Sequence, residues 1–112
     1  MKGKFELTDI TSKIYEACTN LETGAKMIFN YSKSAAETER DFDKAFSLKI
    51  LELMERKVPA TVMKEIAKGE LSDIKFKMDL AALTLNSCIK SLSAQESQLS
   101  ALQSILKYQT EV

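Results

Sequence analysis

A chain of 112 residues supports one modest core, because at this size folding buries about 60 to 65 per cent of the surface that an extended chain exposes. Lys+Arg and Asp+Glu number 16 each and there is no histidine, so no global field draws the chain to nucleic acid, an anionic membrane or a basic partner. Three glycines, one proline and no tryptophan describe a chain with few turns and exclude most β architectures.

The opening "MKGKFELTDI" has two lysines with no apolar run behind them, so it reads as neither a secretory signal nor a membrane-spanning start. No apolar stretch reaches the ~18 residues a span needs, and the chain reads as cytoplasmic. From Ile10 the apolar and small residues step by four and three through Ile14, Cys18, Leu21, Ala25, Ile28, Ser32, Ala35, Glu39, Phe42 and Phe46. This predicts a long helix over 8–56 with a seam close to a coiled-coil repeat, entered through Leu7 and a capping Thr8-Asp9. Ser32 and Glu39 weaken the middle of that seam, so a break near 32–41 is one alternative and self-association that covers the helix is the other.

Pro59 suits the first position of a helix and Gly69 the position just past a helix end. "PATVMKEIAK" is therefore expected as a short helix, 59–68, whose Val62, Met63 and Ile66 cover the open end where two long helices meet. A second long helix over 72–108 follows, capped by Ser72 with Leu71 and Phe76 as a hydrophobic staple. Its seam runs Ile74, Met78, Ala81, Leu85, Cys88, Leu92, Gln95, Leu99, Leu102, Leu106, interrupted only by Gln95.

The fold class expected is all-α: an antiparallel long-helix hairpin with a short helix at the turn. Folding back about that turn would set Met54 opposite Ile74 and Glu39 opposite Cys88 or Ile89, with Cys18 and Cys88 too distant for a disulfide and both acting as reduced core thiols. Two lone helices share one seam and make little core. Self-association into a bundle of at least four helices is expected, a homodimer using Leu85, Leu92, Leu99, Leu102 and Leu106, aided by a small uncharged flank that includes Ser97, Ser100 and Ser104.

No residue pattern carries recognisable catalytic chemistry. Two cysteines without histidine cannot complete a tetrahedral zinc site in one chain, and no phosphate loop or nucleophile elbow occurs. The acidic cluster Glu37, Glu39, Asp41 and Asp43 is interleaved with Arg40 and Lys44, which reads as a solvated, paired helix face. The basic residues near the turn, Arg56, Lys57, Lys64, Lys68, Lys75 and Lys77, alternate with carboxylates, so nucleic acid is not the favoured partner. Phe29, Tyr31, Glu39, Arg56 and Lys57 are the candidate partner surface. Neither metal nor cofactor is expected.

Residues 46–106 resemble a family of small helical accessory proteins encoded by phages and prophages of Gram-positive bacteria. Val58, Pro59, Thr61, Ala67, Lys68 and Gly69 match its turn pattern, and Lys75, Asp79, Ala81, Ile89, Leu92, Leu102, Gln103 and Ser104 its last helix. The first 45 residues depart from it. The family has no settled activity, and its genes lie among replication, recombination and early accessory genes. The resemblance implies a phage accessory protein and does not imply an enzyme; together with the absent catalytic motifs and the small-residue face of the last helix, it leads to the expectation of a protein that binds and inhibits or redirects a bacterial host or defence protein. The alternative is a nucleic-acid-binding factor for phage recombination or replication.

Overall fold

The computed structural model describes residues 6–110, which form three helices, α1 (Leu7–Glu55), α2 (Ala60–Glu70) and α3 (Ser72–Thr110). Among the described residues there is no strand, and no helix is long and apolar enough to cross a membrane. The described residues divide into two compact units, one of residues 6–29 with 86–110 and the other Asn30–Leu85.

α1 runs unbroken through 32–41, so of the two alternatives at that weak stretch the break does not occur. No proline falls within it, and its threonines Thr11, Thr19, Thr23 and Thr38 return their hydroxyls to carbonyls one turn earlier at 2.9–3.1 Å, so these polar side chains sit within the helix without competing for its backbone. The helix begins one residue before the expected cap: Ile10 N donates to Glu6 O at 3.1 Å. Thr8 and Asp9 thus lie in the first turn, where the Asp9 charge complements the helix dipole.

The inward face of α1 differs from expectation at every second step. In the first unit the half-buried residues are Ile14, Ala17, Leu21, Gly24 and Ile28, with Ile10 fully buried; in the second they include Tyr31, Ala35, Thr38, Phe42 and Phe46. Cys18, Ala25, Ser32 and Glu39 are exposed. The spacing is still four and three, but this phase avoids burying the Glu39 charge. It also sets Gly24 against α3, where a Cβ would collide with the Leu92 side chain, lying 3.1 Å from Leu92 Cγ. Phe42 and Phe46 stack with ring centroids 5.9 Å apart.

In Asn30–Leu85 the turn is built differently from the sequence reading. α1 ends with Lys57 in the left-handed conformation (φ 59°), Lys57 N donating to Met54 O at 3.0 Å and Val58 N to Leu53 O at 3.0 Å. This pair of bonds is the Schellman arrangement that normally uses glycine. Gly69, expected to be that glycine for the short helix, is instead helical and open, with nothing within 4 Å of a Cβ built on it. Pro59 stands just before α2 as its cap (φ −56°, ψ 137°) rather than as its first residue.

α2 lies back along the end of α1. Lys49 of α1 reaches Glu70 at the end of α2 (3.6 Å), and Leu53, Ala67 and Leu71 are the buried residues of this unit. The last three turns of α1 are thus beside α2, and α3 begins further back along α1. Tyr31, Ser34 and Thr38 share a groove with Thr84, Ala81 and Lys77 in antiparallel order. The expected register, with Glu39 opposite Cys88, is wrong by roughly three helical turns, because the short helix occupies length along α1 rather than only closing its end.

α3 follows α2 after the single residue Leu71, whose carbonyl accepts from Lys75 N at 3.0 Å. Ser72 is therefore the first helical residue and not the cap, and Phe76, 65% exposed, forms no staple. The predicted α3 seam is the observed one: Ile74, Met78, Ala81 and Leu85 in one unit, and Cys88, Leu92, Gln95, Leu99, Leu102 and Leu106 in the other, are all half-buried. None is fully buried, as a single partner helix implies.

Candidate functional site

Among the described residues no group of three or more His, Cys, Asp or Glu side chains could hold a metal ion. In the first unit a groove of about 430 Å3 runs between α1 and α3, with Lys13, Glu16, Ala17 and Asn20 on one wall and Gln95, Gln98, Ala101, Leu102 and Ile105 on the other. Gln95 Oε1 is buried there without a hydrogen-bond partner. In Asn30–Leu85 a second groove, about 330 Å3, holds Tyr31, Ser34, Thr38, Lys77, Leu80, Ala81 and Thr84.

The five candidate partner residues are not brought together. Phe29 is 70% exposed and belongs to the first unit. Tyr31 is half-buried in the groove beside α3, and Glu39 is exposed on α1. Arg56 and Lys57 stand at the end of α1. The five leucines expected to drive self-association, Leu85, Leu92, Leu99, Leu102 and Leu106, are all half-buried within the chain. Leu92 lies against Gly24, and Leu102 lines the groove with Lys13 and Ala17.

Val62 and Ile66, expected to cover the open end where the long helices meet, are instead exposed, and of that face only Met63 is half-buried. At the α1–α2 end of Asn30–Leu85, Leu48, Leu51, Met54, Val62 and Ile66 are all exposed, Leu51 by 57%. Leu48, Leu51 and Met54 fall on the side of α1 away from buried Leu53, because steps of three along a helix carry side chains progressively around its axis. Val62 and Ile66, one turn apart on α2, share a side of the helix about 100–140° round from the buried Ala67. The signal was present in "FSLKILELM", whose apolar residues go all round the helix, a pattern that calls for cover on more than one side.

Charge around this end is largely paired. Lys49 Nζ meets Glu52 at 2.9 Å as well as Glu70, Arg56 meets Glu52 at 3.2 Å, Lys68 meets Glu65 at 3.9 Å and Lys75 meets Asp79 at 2.9 Å. The hydrogen bond from Lys49 holds the Glu52 carboxyl below its ordinary value of 4.5, and the same bond holds the Lys49 ammonium above 10.5. Of the basic residues near the turn, Lys57, Lys64 and Lys77 make no ion pair among the described residues.

Both cysteines are free. Cys88 is half-buried, in line with a small seam residue, whereas Cys18 is exposed and does not act as the core thiol expected of it. Asn20 shares a groove with Gln95 and Gln98, so Cys18 lies about nine residues of α3 away from Cys88, or roughly 13 Å along the helix.

Compared with protein-family models, with curated proteins and with solved structures, the chain matches none.

Proposed function

We propose that this chain is a non-enzymatic accessory protein that acts by binding another protein. The setting proposed is the one that the resemblance of its turn and last helix to phage accessory proteins suggests, a phage acting on a bacterial host or defence protein. The observation that carries the reading is apolar exposure on both helices that meet at the turn, Leu48, Leu51 and Met54 near the end of α1 and Val62 and Ile66 on α2. Large apolar side chains left in water are the composition of a surface that binds another protein. Of the six basic residues near the turn, Arg56, Lys68 and Lys75 are each engaged by a carboxylate and, among the described residues, Lys57, Lys64 and Lys77 are not, so the preference for protein over phosphate rests on the exposed apolar side chains.

The test is capture from lysate of a Gram-positive host at physiological salt, with the native chain and with a Leu51→Glu/Met54→Glu double variant side by side. The native chain is expected to retain a defined protein that the variant loses. Equal retention by both removes this surface from the proposal. Salt-dependent binding of the native chain to single-stranded DNA, without protein capture, would support the recombination or replication reading in its place.

A further inference from the structure

In the unit formed by residues 6–29 and 86–110, the packing of α1 on α3 is uneven. At Gly24 the two helices are close, since a Cβ there would lie 3.1 Å from Leu92 Cγ. About two turns back along α1 stands the small Ala17, and across the groove from it the α3 seam presents Gln95, polar where its seam neighbours Leu92 and Leu99 are apolar. The groove of about 430 Å3 opens at this layer, so the side chains that line it lack packing partners on one side. Gln95 Oε1 is shut off from solvent and accepts no hydrogen bond from any described residue. It gives up its hydration without a replacement, which makes this layer a weak step in the pairing.

We propose that the Gln95 layer is a conformational device: outward of residue 21 on α1 and residue 94 on α3, residues 7–20 and 95–110 part as one cooperative piece while residues 21–28 and 88–94 stay paired. A helix end with no anchor of its own frays residue by residue. Here the outward piece has one, because Ile10 is fully buried and Ile14, Leu102 and Leu106 are half-buried. These contacts are made or lost together, as in a locally unfolding unit whose free energy lies below that of global unfolding.

Parting returns water to the Gln95 carboxamide, which offsets part of what the lost apolar contacts cost. A leucine at 95 would remove that offset, since it continues the seam and buries no polar atom. The position of the weak step is thus set by one side chain on α3, together with the small Ala17 across the groove. This opening is separate from the surface proposed for a host protein, which lies within residues 48–66 of the other unit, and either can fail without the other.

Amide hydrogen exchange of the full chain in low, increasing concentrations of urea tests it. Residues 7–20 and 95–110 are expected to share one opening free energy and one urea dependence, both smaller than those of residues 21–28 and 88–94. Gln95→Leu is expected to slow exchange of the outward residues by about tenfold, the effect of removing one unsatisfied buried acceptor. Ile28→Val trims a half-buried side chain inward of the layer. It should speed exchange at 21–28 and 88–94 by about fivefold and leave the outward residues unchanged, because their parting breaks no contact of Ile28. Outward exchange that only rises towards the helix ends without urea dependence, that Gln95→Leu does not slow, or that Ile28→Val speeds as much as it does the inward residues overturns the proposal.

Discussion

Adding a single methyl group at Gly24 should destabilise this chain in its native background and stabilise it once Leu92 is shortened. Glycine inside a helix costs about 1 kcal/mol relative to alanine, so Gly24→Ala at an open site would raise stability by that amount. Gly24 is not open: a Cβ there collides with the Leu92 side chain and lies 3.1 Å from its Cγ. Leu92 must leave its rotamer well or α3 must shift, and overpacking of this kind costs about 1–3 kcal/mol. The net effect is a loss of roughly 0–2 kcal/mol, and a mid-range loss lowers Tm by about 4 °C at this chain length. In a Leu92→Ala background the collision is gone and the same Gly24→Ala change should give back about 1 kcal/mol. Urea unfolding of the four chains, followed by circular dichroism at one protein concentration, closes the cycle. Gly24→Ala that stabilises equally in both backgrounds would refute the contact, and with it the α1 inward face on which Gly24 lies.

At the turn, Lys57→Gly should stabilise by about 1 kcal/mol, because a non-glycine residue is held at positive φ there. Gly69→Ala should stabilise by about 0.5–1 kcal/mol, because Gly69 is helical with open space around it; thermal melts check both, and a loss at Gly69 would mean that it ends α2 after all. Ellman's reagent should modify exposed Cys18 rapidly and half-buried Cys88 slowly, and equal rates would contradict the assigned faces. The depressed Glu52 pKa adds stability that is present above its ordinary 4.5 and lost as pH falls through the lower folded value. The raised Lys49 pKa adds stability that is present below 10.5 and lost as pH rises through the higher folded value. Lys49→Met should therefore flatten both limbs of the stability–pH curve, and unchanged limbs would show that the pair is not formed.

The α3 seam was legible because Ile74, Met78, Leu85, Leu92, Leu99, Leu102 and Leu106 are large and no other phase collects them. The α1 seam was ambiguous at every second step. At 17/18, 24/25, 31/32 and 38/39 small or polar residues stand side by side, and hydropathy alone selects Cys18 and Ala25. The structure takes Ala17 and Gly24, and at Gly24 the choice is set by the size of Leu92 opposite, a constraint that one helix does not record. The turn misled through Gly69: the residue most suited to a left-handed helix end is helical, and Lys57 adopts that conformation. The register error followed from treating the short helix as a lid, when the Lys49–Glu70 pair shows it lying along α1.

The most direct test of the proposed binding role is amide hydrogen exchange on the chain alone and on the complex captured from host lysate. The account predicts added protection at the end of α1 and across α2, over residues 48–66, which carry the exposed Leu48, Leu51, Met54, Val62 and Ile66. Capture of no host protein, or a complex in which residues 48–66 exchange as fast as in the free chain, would contradict it.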